Sequence, residues 1–131
     1  MNRIIVGVLL VLASANACAE WVKVADSMNG KVHHYLDPTT LKKQGTVMRV
    51  VTLTDYEEPQ PISESQRFHS VKMQDEFDCA AQTGRHLTLT ALAGNMGAGE
   101  IVATEPRAAA VRKVAPDTPD EDMFKYVCAR N

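Results

Sequence analysis

Apolar and polar residues alternate along most of the chain, which is the period of a β-strand. Segments with this alternation, or with many β-branched residues, predict six strands. They are residues 21–25, 31–36, 46–56, 68–79, 86–93 and 100–104. Most are joined by short turns, and successive strands joined in this way favour an antiparallel meander.

The last part of the sequence has the pattern of a helix instead. Thr118 is followed by Pro119 and, three residues later, by Glu121, which is a capping box with proline at the first helical position. A helix is therefore predicted from Pro119 to about Ala129. Its apolar residues share one stripe that would pack on the sheet. They are Met123, Phe124, Val127 and Cys128.

Two stretches between the predicted strands carry turn or loop signals. Asp37–Leu41 is predicted to form one helical turn, because Asp37 can cap it and Pro38 suits its first position. Glu57–Ser65 contains two prolines and no periodicity, so it is predicted to be a loop.

Two later stretches are predicted to be irregular as well. Gly94–Gly99 lacks the lysine and the following helix of a phosphate-binding loop, so it is interpreted as a turn. Residues 105–117 are predicted to be a surface loop, with a short strand around residues 111–114 as an alternative for part of it.

The first residues have the order of a secretory signal peptide. Arg3 supplies a positive charge, Ile4–Ala15 is an apolar run too short to cross a bilayer, and Ala17–Ala19 offers small residues at a cleavage point. Residues 1–19 are therefore predicted to be removed on export. Residues 20–131 would then form a single periplasmic or secreted domain without a transmembrane segment.

Cys18 leaves an alternative open. A cysteine directly after an apolar run can be the first residue of a lipoprotein, where it carries a lipid anchor. The usual signal has leucine three residues before that cysteine, whereas here the position is Ala15. The sequence therefore favours the soluble form over a lipid anchor at Cys18.

Cleavage after Ala19 would leave two cysteines, Cys79 and Cys128. Two cysteines in an oxidising compartment most simply form a disulfide. It would close a loop of about 50 residues and stabilise the fold by roughly 4 kcal/mol in the chain-entropy model. Because Cys128 lies on the apolar stripe of the helix and Cys79 ends a strand, the bridge would pin the helix to the sheet.

Composition and the titratable residues argue against several function classes. The chain has 14 Lys and Arg against 16 Asp and Glu, a formal net charge of −2. A nucleic-acid-binding protein needs a basic face, so that class is disfavoured. His33 and His34 are neighbours on a strand and point to opposite faces. His69 and His86 are isolated in sequence.

The acidic and hydroxyl side chains do not suggest catalysis either. Asp75, Glu76 and Asp78 are close in sequence, but strand alternation divides them between two faces. Ser63 and Ser65 lie in a predicted loop without a nucleophile-elbow motif. We therefore predict no catalytic, cofactor or metal site, and an enzyme or small-ligand carrier is the least favoured class.

One group of basic residues is a candidate binding patch. Arg107, Arg112 and Lys113 lie together in the predicted loop of residues 105–117. The simpler interpretation is a solvated loop, and the alternative is a contact surface for an acidic partner.

Segments spread over nearly the whole chain occur in an order that resembles the surface-adhesin protein E family. They are Trp21–Val24, Tyr35–Leu41, Val50–Tyr56, Phe77–Cys79, Gly94–Gly97, Val114–Thr118 and Val127–Cys128. The resemblance implies an α+β fold, in which an antiparallel sheet of about six strands carries a C-terminal helix tethered by the disulfide. It also implies adhesion, because the family is named for surface adhesins that bind host extracellular-matrix proteins.

Two functional hypotheses follow. The first is a non-enzymatic binding protein of the cell envelope that resembles protein E and contacts a protein partner, in the extracellular matrix, through the open sheet face or residues 107–113. The alternative is a soluble periplasmic accessory protein that binds an envelope component. No cofactor is expected in either case.

Overall fold

A computed structural model describes residues 19–130, and both the predicted signal sequence up to Ala17 and the lipid-anchor alternative at Cys18 lie outside them. The described chain forms seven strands and one α-helix. They are β1 (Val22–Ser27), β2 (Val32–Gln44), β3 (Val47–Pro61), β4 (Arg67–Asp78), β5 (Thr83–Leu92), β6 (Ile101–Glu105), β7 (Arg112–Lys113) and α1 (Pro119–Cys128). No helix within residues 19–130 combines the length and the hydrophobicity that crossing a bilayer requires.

Strands β1 to β6 lie side by side in chain order, and each is antiparallel to its neighbours. The short strand β7 pairs antiparallel with the start of β5. The predicted fold class is therefore confirmed: an antiparallel meander carries one C-terminal helix. The two-residue strand β7 is the short strand that the sequence offered as an alternative around residues 111–114.

The predicted helical turn at Asp37–Leu41 is wrong, because these residues belong to β2. The pairing of β2 with β3 shifts register between Asp37 and Lys42, which marks a bulge. The Asp37 carboxylate accepts hydrogen bonds from the Thr39 backbone N–H at 3.0 Å and from the Thr39 hydroxyl. Asp37 therefore does accept hydrogen bonds as a capping residue would, but these bonds stabilise a bulge. Pro38 is tolerated there because a bulge interrupts the hydrogen-bond ladder of the sheet.

The predicted loop at Glu57–Ser65 is too long. Strand β3 continues through Pro61, so the connection to β4 comprises residues 62–66 only. Pro59 lies where the pairing of β3 with β4 shifts register. Pro59 therefore marks an interruption of the hydrogen-bond ladder within the strand, and Pro61 is the residue at which the strand ends.

One face of the sheet, which we call the helix face, carries a hydrophobic core beneath α1. Side chains from β2, β3 and β4 that are at most 2% exposed form its base, and two buried side chains of α1 pack on them. They are Leu36, Met48, Val50 and Phe77 from the sheet and Met123 and Val127 from the helix. Further along the same face, Val71 and Ala91 border a cavity instead.

Both ends of α1 are fixed. At its start the Thr118 hydroxyl accepts a hydrogen bond from the Glu121 backbone N–H at 3.2 Å, which confirms the predicted cap. At its end Cys128 forms the predicted disulfide with Cys79, with the two Cα atoms 5.7 Å apart. The helix is thereby held over one end of the helix face.

The opposite face is covered at one place by the predicted turn at Gly94–Gly99, which contains a short 3₁₀ turn over Asn95–Gly97. The buried Asp55 carboxylate accepts a hydrogen bond from the Asn95 side-chain amide at 3.1 Å. The buried Ser70 hydroxyl accepts one from the Gly97 backbone N–H at 2.9 Å. Buried polar groups of the sheet are thus satisfied by the turn that covers them.

Candidate functional site

The structure divides the predicted basic patch, because Arg112 is turned towards the protein. Its guanidinium donates hydrogen bonds to both carboxylate oxygens of Asp120 at the start of α1. Its Cζ atom lies 6.0 Å from the centroid of the Phe77 ring. Gly84 leaves room for this arrangement, since a Cβ there would lie 3.0 Å from a Phe77 ring carbon. Arg112 therefore joins β7 to the helix.

The other two residues of the predicted patch are exposed. The Arg107 side chain is 90% exposed, and its nearest carboxylate is Glu105 at 3.5 Å. Lys113 is exposed on β7. Every residue from Glu105 to Val111, which we call the 105–111 segment, is exposed as well. This segment, with Lys113, is the part of the predicted patch that faces solvent.

A cavity of about 340 Å³ lies on the helix face beside the start of α1. Side chains of the sheet form its floor, and residues from β7 and the start of α1 form its wall. The floor includes His34, Thr52, Met73, Asp75 and His86, and the wall includes Arg112 and residues 118–120.

Asp75 and His86 form a hydrogen-bonded pair in the floor of this cavity. Asp75 is 4% exposed, and one of its carboxylate oxygens accepts from the His86 Nδ1 atom. The other oxygen accepts from the Thr52 hydroxyl at 2.7 Å. The carboxylate thus orients the imidazole, and with the Nδ1 hydrogen assigned to this bond, a neutral His86 has its Nε2 atom as an acceptor.

This pair was missed by reasoning from the sequence, which treated His86 as isolated. The pairing of β4 with β5 shifts register between Gln74 and Asp75, so that Asp75 lies opposite His86 and Leu87 is the extra residue of a bulge. Without this shift, Asp75 would lie opposite Leu87. Nothing in the local sequence signals the bulge, so the pair could not have been found from residue types alone.

The adjacent histidines of β2 point to opposite faces and meet opposite environments. His34 lies in the cavity floor, where its Nε2 atom is 2.8 Å from the Ser27 hydroxyl, and burial lowers the pKa of its imidazole. His33 lies on the other face between Asp26 and Glu57. Its hydrogen bond to Asp26, followed by that to Glu57, raises the pKa of His33.

A second cavity of about 480 Å³ adjoins the first along the helix face. The two cavities share Thr54, Met73 and His86, so we treat them as one groove. The lining of the second cavity is mainly apolar. It includes Tyr56, Ile62, Phe68, Val71, Leu89 and Ala91. We call this the apolar end of the groove, and the first cavity the polar end.

The side chains of the described residues provide no evident metal centre. Within residues 19–130 there is no group of three or more His, Cys, Asp or Glu side chains placed to hold a metal ion. What the groove does offer is a hydrogen-bonding imidazole at its polar end and hydrophobic surface at its apolar end.

A comparison with known families identifies the family of the chain. The sequence profile of the family described as surface-adhesin protein E matches residues 21–129. The chain belongs to the surface-adhesin protein E family. The resemblance stated from the sequence is thereby confirmed, and it covers both cysteines of the disulfide and every strand and helix of the fold.

Solved structures of protein E share the fold of this chain. One crystal form of Haemophilus influenzae protein E is 13% identical, covers 82% of this chain and 87% of its own, and has a TM-score of 0.67. Protein E from non-typeable Haemophilus influenzae is 14% identical, covers 84% of both chains and has a TM-score of 0.60. At this identity the likeness shows the fold alone. No curated protein matches the chain by sequence.

Membership in the protein E family gives a coarse function. The family points to an adhesin-like protein of the cell surface, and hence to a protein or host factor as its partner.

Proposed function

We propose that this protein is a non-enzymatic binding protein of the cell envelope whose partner is an extracellular-matrix protein. The observation that carries the proposal is the match to the surface-adhesin protein E family over residues 21–129. A soluble periplasmic accessory protein that binds an envelope component is the alternative against which it is tested.

The 105–111 segment and Lys113 supply the surface in this proposal. The segment is exposed throughout, and a hydrogen bond from the Ala109 backbone N–H to the His86 carbonyl oxygen, at 2.8 Å, ties it to β5. It therefore presents Arg107 and the exposed side chain of Val111 from a defined position. Arginine is enriched at protein interfaces, and a basic side chain beside apolar surface suits an acidic partner.

Export is part of the same proposal. The N-terminal pattern supports cleavage near Ala19, which releases residues 20–131 as a single soluble domain. The intact mass of the exported protein tests this directly. A mass of residues 20–131 less two hydrogens supports the soluble, disulfide-closed form. A chain that begins at Cys18 with added lipid would contradict it and would favour anchoring at the membrane.

Binding is tested with immobilised collagen, fibronectin and laminin and with the disulfide-closed domain in solution. The double variant Arg107→Glu/Lys113→Glu is expected to weaken binding by about tenfold or more, because it reverses two exposed charges. The matched control is Lys42→Glu/Lys43→Glu, which reverses two exposed charges at the end of β2. The control should bind within about twofold of the unmodified domain.

Two outcomes would overturn the proposal. If the domain binds none of the three matrix proteins, the accessory periplasmic function is favoured. If both double variants lose binding equally, the interaction depends on overall charge and the 105–111 segment is not its site.

A further inference from the structure

We propose that the groove on the helix face binds a small uncharged amphipathic molecule. Its hydrocarbon chain would lie along the apolar end, and its hydrogen-bonding head would meet His86 at the polar end. This inference does not depend on the proposed adhesive function, because it concerns a different surface and a different class of ligand.

The dimensions of the groove suit such a ligand. Its two parts have volumes of about 340 and 480 Å³, and each falls within the range of known small-molecule sites. Along β4 the groove extends from Asp75 to Phe68, which corresponds to roughly 20 Å of extended strand. An elongated molecule therefore fits better than a compact one.

The apolar end gives the hydrocarbon chain its surface. Leu89 and Met73 are only partly buried, and the Tyr56 and Phe68 rings, which meet edge to face with their centroids 5.6 Å apart, add aromatic surface to the lining. A concave, mostly apolar surface of this kind is unusual on a soluble protein unless something binds there. Burial of a hydrocarbon chain against these residues would remove their apolar surface from water.

The polar end provides a single oriented hydrogen-bonding atom. The His86 side chain is 39% exposed, and its Nδ1 atom is bonded to Asp75. Among residues 19–130, no side chain or backbone group hydrogen-bonds to Nε2. When the imidazole is neutral with its hydrogen on Nδ1, Nε2 can accept a hydrogen bond from a hydroxyl or amide group of the ligand.

The charges in the polar end favour an uncharged head. Arg112 is paired with Asp120 through two hydrogen bonds, and its Nη1 atom, which has no partner among the described residues, is buried away from solvent. Asp75 is covered by Thr52 and His86. A cationic or anionic head would therefore lose its water without gaining an unpaired counter-ion, which is unfavourable. A hydroxyl-bearing head has no such penalty and can donate to His86.

The probe is glycerol monodecanoate, which has an uncharged, hydroxyl-bearing head and a linear chain. Its binding to the disulfide-closed domain is measured by titration calorimetry below its critical micelle concentration, beside decanoate and decylammonium. We expect the affinity for the uncharged probe to be at least about tenfold higher than that for either charged probe. Equal or tighter binding of a charged probe would overturn the proposed ligand class, and no binding of any probe would overturn the site.

A matched pair of isoleucines tests the location. Ile62 lines the apolar end and is 40% exposed, whereas Ile101 pairs with Leu92 away from the groove and is 63% exposed. Both positions can take a carboxylate without burying it. Ile62→Glu is expected to weaken binding by about tenfold or more, and Ile101→Glu to leave it unchanged. Equal affinity of the two variants would place the binding elsewhere.

His86→Phe tests whether His86 contacts the head of the ligand. The measurement is the preference between two ligands, which a loss of packing alone would not change. The unmodified domain should prefer glycerol monodecanoate to methyl decanoate, which has no hydroxyl, and the variant should lose that preference. An unchanged preference would show that His86 does not contact the head. If the amphipaths fail to bind but Ile62→Glu abolishes binding to a matrix protein, the groove belongs to a protein interface and the proposal is wrong.

Discussion

The two ends of the helix face are built from the same strands with the same alternation, yet one is sealed and the other is open. At the sealed end, Met48, Val50 and Phe77 lie beneath α1 and are at most 2% exposed. At the open end, Met73 and Leu89 line the groove. The difference shows that alternation determines the face on which a side chain lies, whereas the capped and disulfide-bonded helix determines which part of that face is covered.

Removal of the disulfide should have the largest effect on the sealed end, because it releases α1 from the sheet. Cys128→Ser is expected to lower the free energy of unfolding by about 4 kcal/mol, because the loop that the bridge closes is long. Urea denaturation of the variant measures the loss. Reduction of the unmodified domain is the control and should give a similar decrease. An unchanged midpoint in both experiments would mean that packing alone holds α1 in place.

A matched pair of methionines compares the two ends directly. Met48→Ala at the sealed end is expected to cost about 3 kcal/mol, because it leaves a cavity that the neighbours cannot fill. Met73→Ala at the open end should cost roughly 1 kcal/mol, since part of its side chain already borders the groove. Both values come from urea denaturation at one pH. Equal losses would show that the groove end is packed as tightly as the core.

The smallest expected effect is on the pH dependence of the free energy of unfolding. His33 and His34 should contribute to it with opposite signs. The raised pKa of His33 gives a stabilisation that is complete below its ordinary value of 6.5 and is lost as the pH rises through the folded-state pKa. The lowered pKa of His34 gives a stabilisation that is present above 6.5 and is lost as the pH falls towards the folded-state pKa.

The two histidines can be separated by substitution. On acidification from about pH 7.5 to about pH 5.5, His33→Gln should lose more stability than the unmodified domain, and His34→Gln should lose less. The urea midpoint at each pH is the measurement, and the remaining histidines are common to all three proteins. Identical profiles for the two variants would contradict the opposite pKa shifts.

Much of the fold could be predicted because its signals are local. The cap at Thr118 needs only residues three positions apart, and the β-branched run of β3 is visible without its partners. The disulfide between Cys79 and Cys128 followed from the small number of cysteines and the predicted export. Each of these rests on residue types within one segment or on a simple count.

The groove could not be predicted because it depends on register between strands. The Asp75–His86 pair exists because a bulge at Leu87 shifts β5 against β4. Likewise, Asp37 carries a genuine capping side chain, but the pairing of β2 with β3 places it in a bulge. Such shifts are set by contacts between distant segments, and alternation along one strand contains no information about them.

The order of the strands has a consequence for how the molecule matures. Since each of β2 to β6 pairs with the strand before it, the sheet can assemble progressively from its N-terminal side. Cys128, however, follows every strand of the sheet in the chain, so Cys79 stays a free thiol and Phe77 stays uncovered until the helix docks. The apolar end of the groove, which is lined by residues between Thr54 and Ala103, can therefore form before α1 docks. The polar end is completed only when Arg112 and residues 118–120 take their places, and oxidation of the two cysteines then fixes the helix over the core.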